Sequence, residues 1–389
     1  MLPGTNDNSR NPSSVGSDAT PIIKILDRAR WAPSGDNAQP WKFELLGKQA
    51  VRVHITPPSE QVLYEYGGRP TLIAIGTLIE TISIAASQYG WSTTYTYQSE
   101  GQNSYVDVLF SEQTSAVSDK LSDYIERRTT NRFPYKTSRL STEQKQNLAN
   151  AVSSCVEVHW REDWRSKWRV IAINMMASKL FFSIHEGMIM REKGVHFDTD
   201  YPEKGLPISS VGFSKPISAM IPWASKTWTR TRVLNRYLFG WLSASLELDV
   251  SRGFRSAALF SLHWRDDKTG RSDVEVINAG RALQRFWLTA EEQGLALQPS
   301  YGPLAFSALV EDNVPFTAET WALKYAKKLS NSVHRTYGVP GRQIAFTGRV
   351  GNPTINGRIP RSWRQPLAEL IKDQKDHLYE PPTIFKKRA

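Results

Sequence analysis

The sequence predicts an α+β fold, and three observations point to it. Helix-like and strand-like segments are mixed along the chain with few regular alternations, which argues against a doubly wound parallel sheet. Two long amphipathic helices carry glycines at one shared interval: Gly76 and Gly90 in the first, Gly280 and Gly294 in the second. A chain of 389 residues with 40% hydrophobic content is long enough for one or two domains around a large core.

The elements follow in order. Ile22, Ile25, Leu26 and Ala29 recur at helical spacing, so residues 22–31 read as a helix that Pro33 stops. Strands are expected over 41–46 and 51–55. The first long helix runs from Pro70 to Trp91 and ends on Gly90, a residue suited to a left-handed cap. Residues 91–97 and 105–110 then read as strands, 118–128 and 142–152 as helices, 156–160 as a strand and 164–184 as a further long helix. The segment 271–278 leads into the second long helix, which ends on Gly294. Ala86 and Ala290 occupy matching places in the two long helices, and small residues on a helix surface permit close approach, as at a two-fold axis. Between the halves, residues 187–265 are rich in Trp, Pro and Lys and read as an inserted helical cap.

Composition excludes several classes. One cysteine, Cys155, rules out an intrachain disulfide framework and any multi-cysteine metal site; it precedes a strand and is expected to be buried and inert. The first twenty residues lack the apolar core of a signal peptide and read as a disordered tail. The most apolar run, 72–86, is interrupted by Thr77, Glu80, Thr81 and Ser83, too short and polar to span a bilayer. A soluble, cytoplasmic chain with no membrane partner is the expectation. The 49 basic residues against 38 acidic ones give +11. These charges are spread rather than blocked, apart from Arg127-Arg128, the segment 342–364 and Lys386-Lys387-Arg388, and no nucleic-acid motif accompanies them. His185-Glu186 lacks the second histidine of a zinc-protease helix, and no metal site is expected. A Gly-x-Gly-x-x-Gly turn, a phosphate loop and a Gly-x-Ser-x-Gly elbow are all missing.

The most informative stretch is Ala32-Pro33-Ser34-Gly35-Asp36-Asn37-Ala38-Gln39-Pro40-Trp41. It places a hydroxyl, two amides and an indole in one short loop, which suits a flat polar ring needing edge hydrogen bonds and a stacking face. The same residues also make an ordinary helix-to-strand turn, and the loop alone does not separate the two.

Three segments together resemble the FMN-dependent nitroreductase family. The loop from Ala32 to Trp41 is similar to that family's Ala-Pro-Ser-x-x-Asn-x-Gln-Pro-Trp signature. Arg127-Arg128-Thr129-Thr130-Asn131-Arg132-Phe133-Pro134-Tyr135 resembles its Arg-rich segment in the longer form of the fused, Acg-like branch. Residues 358–367, with Arg361-Ser362-Trp363-Arg364 at their centre, resemble that branch's C-terminal basic segment. The resemblance covers most of residues 21–370 outside the cap. It implies two tandem nitroreductase-like units, 21–117 and 118–370, forming an intramolecular pseudo-dimer with cap insertion 187–265 and a C-terminal tail at 371–389.

The resemblance also implies the chemistry: hydride or electrons pass from NAD(P)H through bound FMN to a small organic acceptor. The alternative is a protein that sequesters FMN under its lid with little or no reductase activity. Arg128 and Arg132, with Arg361 or Arg364, would meet the FMN phosphate, since a guanidinium fork matches a phosphate dianion. Pro33, Ser34, Asn37, Gln39, Pro299, Ser300, Tyr301 and Gly302 would surround the ring. The loop occurs only in the first half and the Arg-rich segment only in the second, so one complete flavin site is implied. Trp223, Trp228 and Trp241 are candidates to line the acceptor pocket. No residue stands out as a catalytic acid or base, and further oligomerisation is left open.

Overall fold

The computed structural model describes residues 15–56, 63–100, 103–113, 117–152, 155–237, 239–266, 268, 271–355, 357 and 359–372. Helix α1 (Pro21–Ala29) leads to β1 (Trp41–Leu45), β2 (Ala50–Ile55), helix α2 (Arg69–Ser87), β3 (Trp91–Glu100) and β4 (Asn103–Glu112). These four strands form an antiparallel sheet in the order β1-β2-β4-β3. In β2, Val51, Val53 and Ile55 point to the core and alternate with polar residues facing outward. Arg52 on the outer face pairs across the strands with Asp107, Nε to Oδ1 at 2.7 Å. Such alternation marks a sheet with one solvated face.

The second half builds another antiparallel sheet. Helix α3 (Thr142–Val152), β5 (Val156–Arg161) and helix α4 (Trp164–Ser183) precede the mostly helical segment 185–254. After it come β8 (Ala258–Trp264), helix α11 (Asp273–Glu292), β9 (Ala296–Pro299), helices α12 (Gly302–Glu311) and α13 (Thr320–Tyr337), β10 (Ile344–Gly351) and the short α14 (Leu367–Leu370). The strand order is β5-β8-β10-β9, and every residue of β10 is buried. Burial on both faces follows from two cores: one shared with the first sheet, one against α4, α12 and α13.

The centre of the molecule is the contact of α2 with α11. Residues 71–82 are all buried, so α2 is enclosed on every side rather than presenting the solvated face expected of an amphipathic helix. By length and composition it could cross a membrane, but most of it is enclosed by the rest of the chain. Gly90 and Gly294 adopt the left-handed caps expected of them, with φ +70° and +69°.

The segment that the sequence reads as a cap, called the cap by that expectation, comprises α5 (His185–Gly194), the paired two-residue strands β6 (Val195–His196) and β7 (Leu206–Pro207), α6 (Ile208–Val211), α7 (Lys215–Ser225), α8 (Trp228–Tyr237), α9 (Gly240–Ser245), a π-helical turn over Leu246–Ser251 and α10 (Arg252–Phe254). Four expectations need correction. The segment read as an insertion does not run to residue 265, because 258–264 is strand β8, buried in all but its last residue and hydrogen-bonded between β5 and β10. The helix expected over 118–128 shrinks to a 3₁₀ turn, Lys120–Tyr124, capped by Asp119; the chain then turns to bury Arg128. The tails are shorter than read: Val15 packs on the core, and Ile371 forms a bridge to Phe43, whose carbonyl accepts from the Lys372 N–H at 2.7 Å. Residues 1–14 and 373–389, including Lys386-Lys387-Arg388, lie outside the described residues. Cys155 is half-buried rather than buried.

Candidate functional site

The loop after α1 is held in an uncommon backbone shape. Asp36, Asn37 and Gln39 all have positive φ, at 45°, 57° and 50°. Left-handed conformations disfavour residues with a Cβ, least so Asn and Asp, and persist where surrounding contacts impose them. Here the contacts are visible. The Ser34 hydroxyl accepts from the Gln39 N–H at 2.9 Å, and the Thr77 hydroxyl on α2 donates to the Pro33 carbonyl at 2.8 Å.

The amides of this loop join it to two distant segments. Asn37 Nδ2 donates to the Glu203 carbonyl in the cap at 2.8 Å and to the Trp363 carbonyl near the C-terminus at 2.9 Å. Gln39 Nε2 also donates to the Glu203 carbonyl, and its Oε1 accepts from the Gln365 N–H at 3.0 Å. The cap and C-terminal segment bond each other directly as well. Ser362 Oγ donates to the Gly205 carbonyl at 2.6 Å, and the Trp363 N–H to the Pro202 carbonyl at 3.0 Å.

Two adjoining cavities open against this junction. The larger encloses about 630 Å³, within the usual span of ligand sites. Its walls come from the loop (Pro33, Ser34, Asp36), from α2 (Ile73, Ala74, Thr77), from Trp287 of α11, from Pro299, Tyr301 and Gly302, and from the cap. The smaller, about 60 Å³, is polar and lined by Asn37, Arg128, Thr129, Thr130, Arg132, Arg361, Ser362 and Arg364 among others. Pro33, Ser34, Asp36, Thr130, Arg132 and Leu206 line both.

The smaller cavity thus gathers all four arginines singled out from the sequence, from two segments more than two hundred positions apart. Arg128 and Arg364 are buried. Arg128 Nη2 donates to the Trp31 carbonyl at 3.0 Å and its guanidinium lies 4.7 Å from the Trp287 ring, while Nε is buried with no partner. Arg361 and Arg364 sit 4.3 and 5.3 Å from the Trp31 ring. Trp31, which the sequence reading did not single out, therefore organises the cluster through both its carbonyl and its indole face. Its one sequence signal was an aromatic flanking the loop.

Among the described residues, Arg128, Arg132 and Arg361 have no carboxylate in salt-bridge contact. Burial, and then the charge of Arg361, push the Arg128 guanidinium down to about 9 against the pull of Glu291. Burial takes Arg361 down to about 10, with Glu291 and Glu126 opposing. Arg364 is held well below its usual range by burial and by Arg128, Arg361 and Arg30. Like charges crowded in a desolvated place are costly unless an anion joins them, and the arginine fork favours a phosphate-like one. Asp36 lines both cavities, and desolvation by the enclosing protein raises its carboxyl against the opposing charge of Arg132.

Not every candidate reaches the cavities. Gln39 is consumed by its backbone partners. Ser300 turns away from the cavity, its hydroxyl donating to Asn174 Oδ1 at 2.9 Å. None of the three cap tryptophans lines the larger cavity. Trp223 is exposed, Trp228 packs edge-on to His185, and Trp241 lies under the Lys179 ammonium at 5.1 Å. The cap's cavity wall is instead built from Met190, Leu206, Phe213, Ile221 and Leu248, facing Tyr64 and Phe181. Tyr64 stacks on Phe181 with ring centroids 5.4 Å apart. No motif announced these residues, because only the tertiary fold brings them to the cavity wall.

No protein-family model matches this chain, and no match was found among curated proteins. Solved structures give loose likenesses. Two tyrosine variants of the FMN and NADPH-dependent nitroreductase NfnB from Sphingopyxis sp. strain HMH align at 16% and 17% identity, both with a TM-score of 0.34. They cover 66% of this chain and 99% and 100% of their own. A protein from Anabaena variabilis, described as a nitroreductase, aligns at 10% identity and a TM-score of 0.35, over 78% of this chain and 69% of its own. Likenesses this loose carry no statement about how the present chain works.

Proposed function

We propose that this chain is an FMN-dependent oxidoreductase that draws reducing equivalents from NAD(P)H and delivers them to a small organic acceptor. The observation that carries the reading is the arginine cluster at one end of a largely apolar cavity, three of whose members, Arg128, Arg132 and Arg361, have no carboxylate in salt-bridge contact among the described residues. Its donor set suits a phosphate dianion, the Nε of Arg128 is a buried donor without a partner, and the adjoining cavity has room for a planar heterocycle.

Bound flavin would supply the hydride chemistry, and the residues of this chain bind, orient and shield. Arg128, Arg132, Arg361 and Arg364 would hold the phosphate. Pro33, Ser34, Tyr301 and Gly302 would border the ring, and Trp287 would pack beside it. The cap would exclude bulk water and shape the acceptor's space with Tyr64, Phe181 and Phe213. Asn37 and Gln39 act one step back, keeping loop, cap and C-terminal segment together.

The architecture is consistent with two tandem units arranged as an intramolecular pseudo-dimer under a cap. Each half contributes one four-stranded antiparallel sheet, and α2 from the first half meets α11 from the second glycine to glycine. The loop and the arginine segment come from different halves, so one chain supplies both parts of the site.

Visible absorbance of the purified protein, before and after anaerobic NADPH, tests the reading. A flavin band that bleaches supports it. Failure to bind FMN even when it is added would overturn it. A second reading, flavin storage, is favoured by the hydrogen bonds that tie cap residues Pro202, Glu203 and Gly205 over the site. Firmly bound flavin that NADPH does not reduce would select that reading.

A further inference from the structure

We propose that the outer surface of the cap docks on an anionic lipid bilayer, so that the chain works at a membrane surface without spanning it. The inference is independent of what fills the cavity. Two observations made of the same helices carry it.

The first is charge. From residue 204 to residue 246 the sequence contains no Asp or Glu, while Lys204, Lys215, Lys226, Arg230, Arg232 and Arg236 all fall within it. Of these, all but Arg230 are exposed: Lys204, Lys215, Lys226, Arg232 and Arg236. An unbroken basic stretch of this kind is attracted to anionic headgroups, the attraction being additive over cations and screened by salt.

The second is the apolar company these cations keep. Tyr237 is 68% exposed, Phe239 61%, Leu246 48%, Trp223 44%, Val233 41% and Met220 38%. Single exposed apolar side chains are ordinary, but six within one basic insertion are the pattern of an interfacial segment. Arg230 lies 5.4 Å from the Trp223 ring, an amphipathic pair suited to the headgroup layer. Phe239 is held outward at φ +49°, a conformation unfavourable for an aromatic residue.

The charge complement alone would also fit nucleic acid. Aliphatic Met220, Val233 and Leu246 offer nothing to a phosphate or a base edge, whereas the acyl boundary of a bilayer accepts them. On the other side of the cap, Phe213, Ile221 and Leu248 line the large cavity. A bilayer-dissolved compound would thus meet one apolar element from the lipid to the site. A membrane was not expected from the sequence because its most apolar run, 72–86, is short and interrupted by polar residues, and that does not bear on a peripheral contact.

Flotation of the full-length protein with vesicles is the test. Vesicles of phosphatidylcholine alone are compared with vesicles containing about one-third phosphatidylglycerol, at low and high salt. The parent chain is expected to float with the anionic vesicles, weakly with the neutral ones, and less at high salt. Trp223→Ser with Phe239→Ser, and separately Lys226→Gln with Arg232→Gln and Arg236→Gln, should each weaken flotation by about tenfold or more. All five positions are exposed, so an unchanged melting temperature and circular dichroism spectrum show that the variants remain folded. No flotation of the parent with either vesicle, undiminished flotation of both variants, or retention on duplex DNA without flotation would each overturn the proposal.

Discussion

Gly76 and Gly280 meet face to face where the two central helices cross. A Cβ on Gly76 would lie 2.0 Å from the Ile277 carbonyl oxygen, and one on Gly280 would lie 2.2 Å from the Ile73 carbonyl oxygen. The clash is with backbone in both cases, so no rotamer change relieves it. Around this crossing, Glu80 on α2 is buried and accepts from Arg281 Nε at 2.8 Å and Arg285 Nη1 at 2.7 Å.

Replacing either glycine by alanine should therefore push the halves apart. Gly76→Ala and Gly280→Ala are each expected to destabilise the fold by about 3 kcal/mol or more, at or beyond the upper end of overpacking costs. Gly294→Ala, with open space around its Cβ but φ +69°, should cost only about 1 kcal/mol. Urea unfolding of the three variants checks the order, and equal losses would refute the packing argument.

Arg128→Ala and Arg364→Ala should lose bound flavin while remaining folded. A hydrogen bond to a charged group contributes about 1.5–3 kcal/mol, so each change should weaken FMN binding by about 10- to 100-fold. Absorbance per mole of protein gives the occupancy. Inorganic phosphate should raise the melting temperature of the parent chain and have less effect on either variant.

The loop amides predict a dynamic effect. Asn37→Ala removes the bonds to Glu203 and Trp363, so hydrogen exchange over residues 195–210 should speed up. Flavin release should quicken with it. Unaltered exchange in this segment would mean that the cap is held by other contacts.

Asp249 supplies a pH dependence. Burial pushes its carboxyl up to about 6, partly offset by the hydroxyl of Ser245 at 2.6 Å. A folded value above the unfolded one of 3.8 means the folded state binds more protons between those two pH values. The stability this contributes is full below the unfolded value and is lost as pH rises through about 6. Asp249→Asn should then raise the melting temperature relative to the parent at pH 7.5 more than at pH 4.5. A difference that does not change with pH would rule this account out.

Local pattern was enough for much of the fold. The helix before the loop, the strands 91–97 and 105–110, helices 142–152 and 164–184, and the left-handed caps at Gly90 and Gly294 were legible because each depends on neighbours a few residues away. The shared interval of the glycines was legible too, but that Gly76 and Gly280 meet each other at the crossing is shown only by the fold. The four arginines stood out by residue type and grouping, although nothing local brings 128–132 to 361–364.

That convergence was decided by tertiary structure alone. The C-terminal segment follows no periodicity and is placed by hydrogen bonds to Gln39, Asn37 and Pro202. The same holds for Trp31 beneath two guanidiniums and for β8 at the end of what read as insertion. Strand pairing, the burial of a charge and the walls of a cavity are properties of surfaces that meet across long sequence distances. The sequence by itself determined which local elements form and which side chains can meet an anion. Only the folded chain determined that those side chains share one desolvated place, because tertiary contacts alone bring 128–132 and 361–364 together.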